Sequence, residues 1–301
     1  MNLEQLANDT GKLVDVAGKD IDDRESFTHL CKKFASQPGT VILLSGGEHD
    51  CSRYNILAAC PWLEFSAKNT SIRLQTENNT YRFSGNSLET LRDLYRLYSF
   101  DSPDLPTPVA SGLFGYFAYD LKDQIENLPK TSIDDLQLPD LCLYAPSILL
   151  VQDNFQQSRQ LYIPIFCKNG RYTDTNHYLE LFQRTRESKG SSQTEYRERE
   201  GKQFSSNFQR SQYEETVQQI KEYIRSGHIY QINLSQRFHL DFSDDTFDLF
   251  TDLFAKNPAP FYAYINAGSH QVLSTSPERF LYKNQDSVET RPIKGTRPRG
   301  N

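Results

Sequence analysis

The chain has 301 residues, a formal net charge of −6, 24% charged residues and 37% hydrophobic residues. That balance is ordinary for a globular chain of one large domain or two, able to bury a core without staples. The mild acidity argues against a nucleic-acid face, and no run is long and apolar enough to span a bilayer.

The segment from Met1 to Thr10 is polar and lacks the apolar stretch of a secretory signal. Five cysteines without CxxC spacing and six histidines without HxxxH or HExxH spacing argue against a disulfide framework or zinc site. A reducing, cytoplasmic setting is the expectation. Phe27, Leu30, Cys31 and Phe34 fall at helical spacing, and Pro38-Gly39 stops that helix. Thr40 to Ser45 reads as a buried strand closed by Gly46-Gly47. Further strands are expected at Tyr54 to Ala59, Ser71 to Thr76, Thr80 to Ser84, Gly112 to Tyr119 and Ile148 to Asp153. Leu88, Leu91, Tyr95 and Tyr98 mark a second amphipathic helix.

Residues 187–207 are almost free of apolar side chains and read as a linker or exposed loop between a region 1–186 and a region 208–301. Ser211 and Glu214 have capping-box spacing, ahead of a helix carrying Tyr213, Val217, Ile220 and Ile224 and ending at Gly227. Alternation predicts a strand from Ile229 to Leu240. Phe247, Phe250 and Phe254 mark another helix. After the turn Asn257-Pro-Ala-Pro260, strands are expected at Phe261 to Ala267 and Gln271 to Thr275.

The chemistry concentrates at the end of this sequence. Ser276-Pro-Glu-Arg-Phe280 follows a strand, and a turn at Lys283 to Asp286 allows a hairpin return that brings Glu278 toward Lys294. Arg291, Lys294, Arg297 and Arg299 form a local basic cluster suited to a small anion. Gly295 admits close approach to the main chain, and Thr296 adds a hydroxyl. Neighbouring arginines push a lysine toward its neutral, nucleophilic form, and a carboxylic acid raised by burial donates a proton. On these local grounds alone, a surface lysine in a basic loop remains the simpler reading.

Seven passages alter that balance: SRYNILAACP (52–61), GLFGYFAYDL (112–121), IENLP (125–129), SGHIYQINLSQRF (226–238), NPAPFYAYI (257–265), SPERFL (276–281) and ETRPIKGTRPRG (289–300). Together they resemble the chorismate-utilising family that contains component I of anthranilate synthase and of aminodeoxychorismate synthase. The resemblance implies an α+β fold, a four-layer α/β/β/α sandwich of two mostly antiparallel sheets, incomplete at the C-terminus. It also implies chorismate as substrate, magnesium as cofactor and a glutamine amidotransferase partner (component II) that supplies ammonia. Anthranilate synthases typically have PIAGT where this chain has Pro292-Ile-Lys-Gly-Thr296. The aminodeoxychorismate branch has a lysine similar to Lys294, a nucleophile that attacks the ring and is displaced by ammonia. Glu278 matches the general acid, and Gly295 and Thr296 fall in the substrate-binding segment. The implied product is 4-amino-4-deoxychorismate, precursor of p-aminobenzoate and folate.

The resemblance also places an amino-acid pocket, for L-tryptophan, at Ser45, Cys51, Ser52, Arg53, Tyr54, Pro260, Phe261 and Tyr262. Here the chain departs from the pattern: Cys51 stands where aromatic residues occur, and Leu44-Ser45 lacks the glutamate of LLES. The family's later acidic, magnesium-holding motifs have no counterpart, so the chain is expected to be an inactive fragment with its metal ligands beyond residue 301. The competing readings are anthranilate synthase component I and a non-catalytic amino-acid-binding or partner-binding remnant.

Overall fold

The computed structural model describes residues 3–22, 25–100, 105–129, 133–188, 204–293 and 295. The chain divides into two compact units, residues 1–192 together with 246–301, and residues 193–245.

The first unit opens with helix α1 (Glu4–Thr10), strand β1 (Lys12–Asp20), helix α2 (Phe27–Ala35) and strand β2 (Val41–Leu44). Strands β3 (Tyr54–Lys68), β4 (Ser71–Gln75) and β5 (Thr80–Ser84) then lead to helix α3 (Ser87–Tyr98). Strand β6 (Phe114–Phe117) and a short 3-10 turn (Tyr119–Gln124) come next. They precede the long strands β7 (Leu141–Asp153) and β8 (Ser158–Lys168), the short β9 (Arg171–Tyr172) and helix α4 (Thr175–Glu187). Helices α2 and α3 start where the sequence supplies a cap: the Ser26 hydroxyl accepts the His29 N–H, and the Asn86 side chain accepts those of Leu88 and Glu89.

The second unit holds β10 (Ser205–Ser206), α5 (Arg210–Arg225) and β11 (Phe238–His239). Two expectations fail here. Helix α5 begins at Arg210, and its capping bond runs from the Gln209 N–H to the Gln212 side chain at 3.0 Å. Ser211 therefore lies inside the first turn, and Glu214 is taken by Arg210 at 2.8 Å. The strand expected from Ile229 to Leu240 shrinks to Phe238–His239, paired among the described residues only with Ser205–Ser206. Alternation marks which side chains a strand would sort. Without a partner strand the backbone has no ladder to join. Tyr230, Ile232 and Phe238 are exposed.

The chain re-enters the first unit with α6 (Thr246–Lys256), β12 (Phe261–Asn266), β13 (Gln271–Ser276), β14 (Arg279–Asn284) and β15 (Ser287–Arg291). An antiparallel sheet of eleven strands runs β1-β8-β7-β3-β2-β12-β13, with β4 added beside β3 and β5 beside β4, β6 beside β7 and β9 beside β8. Strands β14 and β15 form a separate hairpin. The fold is thus α+β with a large antiparallel sheet, and among the described residues the remaining strands are two short ribbons.

The central strands bury side chains on both faces, which is why they read as continuous apolar runs. Ile42 and Leu44, Leu57 and Ala59, Ile148 and Leu150, and Tyr262 and Tyr264 pack under Phe27, Leu30 and Phe34 of α2, Phe182 of α4 and Phe247 and Phe250 of α6. Their neighbours Val41, Ala58, Leu149, Val151 and Ile265 belong to a different cluster. A third cluster seats Leu6 of α1 and Leu94 of α3 on Leu63, Phe65, Leu74 and Leu143. Among the described residues, no helix is long and apolar enough to cross a membrane.

Candidate functional site

The expected site residues fall into two groups, one at the paired strands β2 and β12 of the large sheet and one on the separate β14–β15 hairpin. Strand β12 pairs antiparallel with β2, setting Tyr262 opposite Leu44. This register brings Pro260 to the end of β2, where the Ser45 hydroxyl donates to the Pro260 carbonyl at 2.9 Å. The Ser45 N–H donates to Asn55 Oδ1 at 2.8 Å, and Asn55 in turn holds Asn154 at 3.1 Å. The loop between β2 and β3 is closed by the Ser52 hydroxyl on the Gly46 carbonyl (2.7 Å) and by the Gly46 N–H on the Ala259 carbonyl (3.0 Å). Gly46 is required by space: a Cβ there would stand 2.7 Å from the Phe254 ring and 2.8 Å from Pro258.

Arg53 is oriented by Asp153. The guanidinium makes hydrogen bonds of 2.7, 3.0 and 3.1 Å to a carboxylate that is only 1% exposed. It also lies over the rings of Tyr54 (4.9 Å) and Phe155 (5.7 Å). Arg53, with the Phe155 and Gln156 N–H groups, holds Asp153 below the usual carboxylate range. Cys51 is half-buried. Tyr262 is core: its hydroxyl donates to the Asn257 carbonyl at 2.8 Å, and its ring meets Phe254 edge-on at 5.1 Å. The structure therefore gathers Ser45, Ser52, Pro260 and Phe261 at one sheet end, while the Tyr262 ring faces the helices.

The hairpin of β14 and β15 carries the second group. Arg279 pairs in register with Arg291, so the chain does return on itself after the turn at Gln285-Asp286. Glu278, exposed, turns its carboxylate onto the Ile293 N–H at 3.1 Å. Gly295 is exposed. Lys294 and Thr296 lie outside the described residues, as do Arg297 and Arg299.

Arg291, expected to receive a small anion, already has carboxylate partners. It contacts Asp50 at 2.7 and 2.9 Å and Glu289 at 2.8 and 3.0 Å. Glu289 also binds Arg279, whose guanidinium lies over Tyr282 (5.0 Å) and Phe261 (5.5 Å). Arg291 holds both Asp50 and Glu289 below the usual carboxylate range. Sequence reasoning missed Asp50, Asp153, Arg279 and Glu289. A local signal existed only for Glu289, two residues from Arg291 on the same strand.

Among the described residues, no group of three or more His, Cys, Asp or Glu side chains is arranged to hold a metal. The magnesium implied by the resemblance finds no fitting ligand set among the described residues.

Residues 52–301 match the family model described as chorismate binding enzyme. Among curated proteins, the chain is 33% identical over 293 residues to anthranilate synthase component 1 of Cereibacter sphaeroides, covering 92% of this chain and 58% of that protein. It is 30% identical over 266 residues to aminodeoxychorismate synthase component 1 of Escherichia coli, covering 87% of this chain and 55% of that protein. It is 37% identical over 232 residues to anthranilate synthase component 1 of Thermus thermophilus, covering 74% and 49%. The chain thus spans about half the length of the curated relatives it matches. The crystal structure of anthranilate synthase component I from Streptococcus pneumoniae shares its fold, with a TM-score of 0.64 at 19% identity, over 81% of this chain and 54% of that one. Similarity alone does not separate the two kinds of synthase. With a family model matched over most of its length, the chain belongs to the chorismate-binding enzymes.

Proposed function

We propose that the chain is part of component I of aminodeoxychorismate synthase, the enzyme that aminates chorismate to 4-amino-4-deoxychorismate with ammonia from a glutamine amidotransferase partner, and that these 301 residues are inactive by themselves. One observation carries this reading: a lysine, Lys294, occupies the centre of Pro292-Ile-Lys-Gly-Thr296, where the anthranilate branch typically has alanine. The return of the β14–β15 hairpin supports it, because the Glu278 carboxylate rests on the main chain of Ile293, one residue before that lysine.

In this reading the Lys294 amine forms a C–N bond to the chorismate ring as the C–O bond to the 4-hydroxyl breaks. Glu278 gives its proton to the departing oxygen, which leaves as water. Ammonia then displaces the lysine amine and releases the product. The designation "component 1" in the relatives' names supports a second, ammonia-supplying subunit. The amino-acid pocket at Ser45, Cys51 to Tyr54, Pro260 and Phe261, without the core residue Tyr262, belongs to the same proposal, with tryptophan as its ligand.

Anthranilate synthase component I is the second reading, favoured by the 33% and 37% identities to two such proteins. The same fold with the C-terminal part of its relatives restored, supplied with chorismate, ammonium and magnesium, separates the two. Mass spectrometry is expected to find 4-amino-4-deoxychorismate, whereas appearance of fluorescent anthranilate overturns the proposal. Lys294→Ala is expected to lose turnover and to regain part of it at high ammonium. Undiminished turnover of that variant at low ammonium removes the nucleophile role.

A further inference from the structure

Four charged side chains of alternating sign run from the loop after β2 to the hairpin that carries Glu278. Both Asp50 carboxylate oxygens accept from a single nitrogen of Arg291, Nη1, at 2.7 and 2.9 Å. Arg291 meets Glu289 through a second edge at 2.8 and 3.0 Å. Glu289 closes on Arg279, which is flanked by the rings of Phe261 and Tyr282. Asp50 and Arg291 are 241 positions apart, so this contact fixes the hairpin relative to a distant loop. Apart from Asp50, every charged member lies on β14 or β15, and Arg279 directly follows Glu278.

We propose that Asp50 is a positioning residue for the amination: through Arg291 it anchors β15, and so aims the Glu278 carboxylate and the main chain at Ile293. This rests on the reaction proposed above. Three features of the geometry carry it. Asp50 holds Nη1 of Arg291 while Glu289 takes the fork of Nε and Nη2, so the guanidinium is held from two directions. Arg291 is two residues from Ile293, whose N–H holds Glu278. The loop bearing Asp50 is itself braced by the Ser52 and Gly46 hydrogen bonds, so the anchor has a fixed footing. A single exposed ion pair contributes little to stability, whereas a small displacement of a catalytic carboxylate costs much more in rate. The anchor should therefore register in turnover before it registers in melting.

The test compares Asp50→Asn and Asp50→Glu with the wild type in the whole protein, by two independent readouts. The first is kinetic. Asp50→Asn is expected to lower kcat about tenfold with KM for chorismate unchanged, to narrow its gap to the wild type at high potassium chloride, and to be rescued by Asp50→Glu. The second needs no turnover: hydrogen exchange at the Ile293 amide should quicken several-fold in Asp50→Asn and return toward wild type in Asp50→Glu. Wild-type exchange at Ile293 in Asp50→Asn overturns the anchor, as does a lowered melting point with no local change at Ile293. If the wild type makes no aminated product, the proposed reaction falls, and the exchange measurement still decides whether Asp50 anchors the hairpin.

Discussion

Glu278 folds its carboxylate back onto the main chain of Ile293, with Oε1 accepting that N–H at 3.1 Å. The contact makes a clean variant available. Glu278→Gln keeps an oxygen acceptor for the Ile293 N–H and loses the proton a general acid must give. It is expected to fold and melt like the wild type and to turn over about 10²- to 10⁴-fold more slowly. Glu278→Ala loses both roles and should in addition show faster amide exchange at Ile293. Equal kcat for Glu278→Gln and wild type, measured by product formation, would remove Glu278 from the chemistry.

Asp153 gives stability a pH dependence. Arg53 and two main-chain N–H groups hold its folded-state pKa below the unfolded value of about 3.9. Its contribution is therefore complete at neutral pH and is lost as the pH falls below about 4 toward the folded value. Asp153→Asn removes that dependence. Denaturant titrations should show a gap between the two proteins that is constant above about pH 5 and shrinks on acidification. Asp153→Ala, which strips partners from a carboxylate site only 1% exposed, is expected to cost about 1–3 kcal/mol near pH 7. A gap that widened on acidification would contradict the assignment.

Gly46 sits where the loop passes closest to α6. A methyl group there meets Phe254 and Pro258 at under 3 Å, so Gly46→Ala must push one of them aside. The expected cost is about 1–3 kcal/mol in urea unfolding. If Ser45, Ser52 and Pro260 form an amino-acid pocket, calorimetry should also show weaker tryptophan binding to this variant than to the wild type. An unchanged midpoint would mean that the loop relaxes freely.

Cys31 and Cys60 make burial visible to chemistry. Burial pushes the Cys31 thiol well above its ordinary value and Cys60 up to about 11. At pH 8 roughly one Cys60 in a thousand is thiolate. Iodoacetamide is expected to leave both unmodified in the native protein and to label them once denaturant is added. Peptide mapping reads the result directly, and native labelling of Cys31 would show that α2 does not seal the core as described.

What the sequence disclosed depended on how local the signal was. The apolar runs at β2 and Ile148 to Asp153 were legible because both faces of those strands are buried. The strand at Tyr54 was read only to Ala59, since Cys60, with φ of 53°, and Pro61 interrupt the pattern before it continues to Lys68. Strands β1 and β8 escaped notice. Lys12–Asp20 mixes charged residues and Gly18 into an outer strand, and Gln160 to Cys167 shows no regular alternation. Helix α4 was missed because only Phe182 anchors it deeply. The site divides the same way. The hairpin turn between Lys283 and Asp286 was readable from polarity, and Gln285, at φ of 50°, does make that turn. The meeting of Ser45 with Pro260 was reached only through the family resemblance, and that of Asp50 with Arg291 was not reached, because each spans more than 200 positions and ordinary residue types carry it.

The pairing of β2 with β12 has a consequence for how this protein is made. Val41–Leu44 waits for a partner that begins at Phe261, some two hundred residues later in synthesis. Until then one edge of an apolar strand has no neighbour, and unpaired edges recruit other chains. Contacts this distant in sequence also form slowly. Nascent chains halted before residue 261 should therefore depend on chaperones more heavily than chains released after residue 276. The strand that completes the sheet also ends the period of greatest aggregation risk.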